Sequence, residues 1–149
     1  PLKLTWYDGG LMPPRPKELE EGRQLGVWSG GILFCGDEGE LTCGYRGQNP
    51  RIIPEKRMKE YKRPPKSLPR IPKGEGGHEE NWVIACKGGP EPCANFDYSG
   101  PLTEVVLLGN VAIHFPGKRL QWDGPGMKCI NLPEANEYIH RKYRDGWML

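Results

Sequence analysis

A chain of 149 residues with 36% apolar and 9% aromatic side chains has material for one domain, 1–149, with a modest core. Its 21 glycines and 16 prolines give turns and irregular connections a large share, which argues against a helical bundle. A formal charge of +2 and the lack of any apolar run of membrane-spanning length point to a soluble chain with no membrane partner.

Leu2 to Tyr7 (LKLTWY) mixes apolar, aromatic and β-branched residues and stops at Asp8-Gly9-Gly10, a turn signal, so a strand is expected there. A strand beginning at the second residue suggests that polypeptide once preceded it. Leu11 to Pro16 is too rich in proline for regular structure. Ile32 to Cys35 and Glu40 to Tyr45 read as a hairpin closed by Gly36-Asp37-Glu38-Gly39.

Pro54 to Tyr61 predicts a short helix, after which Pro64, Pro65, Pro69 and Pro72 force an extended path. The segment 51–76 is a basic, Pro/Gly-rich connection: Arg51 to Lys73 carries nine Lys or Arg against Glu55 and Glu60. With Tyr61 as its one interleaved aromatic it reads as a solvated linker, not a nucleic-acid surface.

Gly74 to Gly77 opens a helix from about His78 to Lys87 that ends at Gly88-Gly89; on it His78, Trp82 and Cys86 share a face. A longer helix is expected from Pro101 to Phe115, apolar on most sides and therefore packed between a sheet and other elements. Thr103, Leu107, Asn110 and His114 form its only partly polar stripe. Arg119 to Trp122 and Met127 to Ile130 read as short strands, and a last helix from about Pro133 buries Ala135, Tyr138 and Ile139. The fold class is α+β: a mostly antiparallel open sheet with helices packed on one face.

The five cysteines match no CxxC pattern and read as free thiols of a reducing compartment, which places the chain in the cytoplasm. Trp6, Tyr7 and Asp8 form the best carbohydrate-like constellation, since aromatic faces stack on sugar C–H surfaces and a carboxylate accepts from hydroxyls. The same residues also suit a core aromatic followed by a turn-opening Asp. Asp97 and Tyr98 invite the sugar reading with less support.

His78, beside Glu79 and Glu80, is the candidate for a general base or metal ligand; ordinary helix-start polarity explains the cluster equally. His114 at a helix end reads as structural and His140, among Arg141, Lys142 and Arg144, as solvated. No metal-ligand spacing occurs, so no metal is expected. Gly74-Glu75-Gly76-Gly77 lacks a preceding strand and has Glu79 where a dinucleotide loop needs its last glycine.

The stretches GPLTE, VLLGNVA, LQWD and PEAN between Ser99 and Trp147 resemble the C-terminal end of Gfo/Idh/MocA-type oxidoreductases. Further matches lie in TWYDGGLMPPRP, GGILFCGDEGEL, NWVIACKGG and NFDYSGP, so the resemblance covers nearly the whole chain. It implies the later part of a substrate and oligomerisation domain, an open sheet with one face at a subunit interface, without the N-terminal Rossmann domain.

Cofactors would then be none, with NAD(P) bound only where a separate Rossmann domain is supplied. The family's catalytic lysine sits in an EKP-like motif, and Glu55-Lys56-Arg57 does not correspond to it. The expected function is an orphan substrate-type domain that binds a carbohydrate or polyol and forms homo-oligomers through the sheet face. The alternatives are a small hydrolase acting on an ester, phosphoester or glycoside with His78, and a structural oligomerisation fragment.

Overall fold

A computed structural model describes residues 2–147. The chain divides into two compact units, Pro1–Ser67 and Leu68–Leu149, with the division inside the proline-bearing connection. The α+β class holds, as helices plus two small open antiparallel sheets of three and two strands.

In the first unit β1 (Gly31–Gly36) and β2 (Gly39–Gly44) form the expected hairpin, with Gly36 opposite Gly39 across the Asp37-Glu38 turn. A short strand, β3 (Arg51–Ile53), continues the sheet in the order β1-β2-β3. Gly31 permits the approach of the preceding loop, because a Cβ there would stand 2.6 Å from Gly26 Cα and 2.7 Å from the Cys43 carbonyl oxygen.

The helix α1 (Glu55–Glu60) follows β3, and Met58 Sδ accepts the Ile52 N–H at 3.4 Å. Pro16, Leu19, Thr42, Cys43, Gly44 and Ile53 are the buried residues of this unit among those described. The proline-rich approach is fastened by Arg15, which donates to the Glu20 carbonyl at 2.6 Å and the Arg23 carbonyl at 2.9 Å.

Pairing register sorts the sheet's side chains onto two faces, because neighbours in register share a side. One face carries Ile32, Phe34, Leu41, Cys43 and Ile52, all apolar; the other carries Leu33, Cys35, Glu40, Thr42, Arg51 and Ile53. Ile32 and Phe34 remain 40% and 54% exposed.

The strand expected over Leu2–Tyr7 is not present: these residues are irregular, unpaired and exposed. Their alternation suits a sheet edge, but pairing requires a neighbour, and none of the described strands takes them.

The second unit contains α2 (His78–Cys86), entered through a 3₁₀ turn at Gly74–Gly77, and α3 (Phe96–Ala112). Gly88 at φ 84° ends α2 as expected, with the Gly89 N–H reaching the Ile84 carbonyl at 3.0 Å. The helix α3 starts five residues before Pro101 because the Asn95 side chain accepts the Tyr98 N–H at 2.9 Å and caps it.

The two last strands shrink to β4 (Trp122–Asp123) and β5 (Lys128–Cys129), and the expected final helix is a 3₁₀ segment, Pro133–Tyr138. Asn136 ties this segment to β5, donating to the Cys129 carbonyl and accepting the Cys129 N–H at 2.7 Å. The core is Val111, Cys129 and Ala135, with Phe115, Leu120, Trp122, Leu132 and Ile139 packed on it.

The packing expected around α3 is largely missing. Val111 is its only buried residue, while Leu102, Val105, Val106 and Leu107 are exposed. Likewise Tyr138 is exposed although Ala135 is buried.

The total accessible surface is 13143 Å². Two compact bodies sharing the 16.8 kDa mass would expose about 9,200 Å². Roughly 4,000 Å² of surface is therefore left that self-contained units of this size would bury.

Candidate functional site

Trp6, Tyr7 and Asp8 lie consecutively where the irregular first segment meets a turn. The Leu11 N–H donates to the Asp8 carbonyl at 3.1 Å, and the Asp8 carboxylate accepts the Gly9 N–H at 2.7 Å through Oδ1. Asp8 thus organises the turn with one oxygen and leaves Oδ2 for a ligand hydroxyl. Trp6 is 69% and Tyr7 42% exposed, so both rings offer stacking surface. The turn expected at Asp8-Gly9-Gly10 is present, while the strand expected to carry Trp6 and Tyr7 to it is not.

His78 belongs to the second unit. It is the first residue of α2, exposed, with Trp82 and Cys86 also exposed along the helix. Close by, Lys73 pairs with Glu80 at 2.6 Å, which occupies one of the acidic groups of that helix start. Among the described residues no group of three His, Cys, Asp or Glu side chains is placed to hold a metal ion. His140 is exposed beyond the last 3₁₀ segment, and Tyr98 is exposed near the start of α3.

A cleft of about 320 Å³ in the second unit runs beside the C-terminal half of α3. Glu104, Leu107, Val111 and His114 line it from the helix, facing Trp122 and Tyr138. The Trp122 indole N–H donates to Glu104, and the His114 ring stacks on Tyr138 with centroids 4.2 Å apart. His114 thus sits just past the end of α3, packed on Tyr138 at the cleft. Sequence reasoning did not find Glu104 or the Trp122 partnership, since the two residues are 18 apart and only the helix-to-hairpin packing joins them.

Two ionisable groups of the first unit are displaced from their ordinary range. Glu20 is lowered, chiefly by the backbone N–H of Glu55 that it accepts, with Arg23 and Arg15 adding attraction. The Cys35 thiol is raised by desolvation and by Glu40, whose carboxylate it meets at 3.5 Å. An exposed thiol held in its protonated form is a weak nucleophile.

Neither the protein-family models nor the curated proteins searched contain a match to this chain. The fold itself defines an α+β chain with small open antiparallel sheets, in which among the described residues no helix is long and apolar enough to cross a membrane.

Proposed function

We propose that this chain is the substrate-facing, self-associating part of a sugar-oxidoreductase-like protein of the Gfo/Idh/MocA type. It binds a carbohydrate or similar polyol at Trp6, Tyr7 and Asp8, and nicotinamide chemistry enters only with a separate Rossmann domain. The observation that carries this reading is the sheet face of Ile32, Phe34, Leu41, Cys43 and Ile52, apolar throughout and open at Phe34. Exposed apolar surface such as Ile32 and Phe34 on that face marks a site for association.

The ligand half of the proposal rests on two exposed rings beside a carboxylate with a free oxygen. Five free thiols fit a reducing, cytoplasmic setting.

Titration calorimetry with a panel of neutral monosaccharides and polyols tests the ligand half. Saturable binding is expected, weakened about two- to tenfold by Trp6→Ala as a stacking surface is removed. No heat with any member of the panel, or NAD(H) binding by the chain alone, would contradict the assignment.

A further inference from the structure

We propose that the segment Leu2–Thr5 of one copy adds as a fourth strand to the free edge of β1 in a second copy. This rests on the self-association argued above and names the contact that completes it.

The two edges of the three-stranded sheet are differently protected. At β3 the edge is three residues long, begins with Arg51, runs into Pro54 and has its outward Ile52 N–H taken by Met58. Charge, proline and a covering helix are the usual guards against edge pairing. β1 has none of them: its sequence GILFCG is uncharged, free of proline and six residues long, and it pairs with β2 alone.

Gly36 and Gly39 flank a two-residue turn as a hydrogen-bonded pair, and in an antiparallel ladder such pairs alternate. The backbone groups of Gly31, Leu33 and Cys35 consequently point away from β2.

Leu2–Thr5 has the complementary properties. Its alternation puts Leu2 and Leu4 on one side and Lys3 and Thr5 on the other, ahead of the Trp6-Tyr7-Asp8 turn edge. Leu2 is 93% and Leu4 67% exposed, with no strand partner. Added to β1, Leu2 and Leu4 extend the apolar face begun by Ile32 and Phe34, while Lys3 and Thr5 join the face bearing Glu40 and Thr42. Reciprocal exchange between two copies closes a two-fold dimer and leaves neither β1 edge open.

Amide hydrogen exchange followed residue by residue by NMR, alongside light scattering on the same samples, tests the exchange over a concentration series. The Leu33 and Cys35 amides should slow by about tenfold or more as dimer forms, and Leu4→Pro, at an exposed irregular position, should abolish that slowing. A dimer in which these amides exchange at their free rate overturns the strand addition and leaves the sheet-face association standing. The same protection in a chain that scatters as a monomer places the segment on its own β1 and overturns the exchange. A monomer at every concentration overturns both.

Discussion

Glu20 accepts the backbone N–H of Glu55 from 35 residues away, and Arg23 pairs with both carboxylates, at 3.8 Å to Glu20 and 3.0 Å to Glu55. The folded chain thereby favours ionised Glu20 and holds it below its ordinary value of 4.5. Because the folded value is the lower one, the contribution is fully present above 4.5 and is lost as pH falls through the folded value. Urea unfolding measured from pH 7 to pH 3 should show Glu20→Gln less stable than wild type at neutral pH and less sensitive to acid. An unchanged pH slope would contradict the assignment. At this scale the sequence revealed types but not partners: Asp8 was legible as a turn former, whereas nothing in the local pattern joins Glu20 to Glu55 or Glu104 to Trp122.

Among the elements, α3 shows what decides legibility. Gly100-Pro101 reads as a boundary because proline lacks an N–H and suits a first turn, yet Asn95 caps the helix earlier and Pro101 sits inside it. The interior proline forgoes the bond to the Asp97 carbonyl. Pro101→Ala should therefore stabilise the second unit by about 1–3 kcal/mol in urea unfolding followed by helix circular dichroism, and destabilisation would show that the proline relieves a contact.

The β1–β2 hairpin and the end of α2 were legible because Gly36, Gly39 and Gly88 are local signals that need no distant partner. The expected strand at Leu2–Tyr7 failed for the opposite reason. A strand exists only when something pairs with it.

Among the described residues, a buried apolar set of Leu19, Cys43, Ile53, Val111, Cys129 and Ala135 is small for a 16.8 kDa chain, and Ile32 and Phe34 of the apolar sheet face and most of α3 lie outside it. Composition foretold a modest core through its 36% apolar share; which surfaces stay open depends on packing that periodicity does not encode. The central claim is that the apolar sheet face is covered by another copy. Size-exclusion chromatography with light scattering on wild type and Phe34→Glu over a concentration series tests it most directly. Wild type should run at twice 16.8 kDa or more and the variant, with a charge placed on that face, should shift to 16.8 kDa. A folded wild-type monomer of 16.8 kDa at every concentration, indistinguishable from the variant, would contradict it.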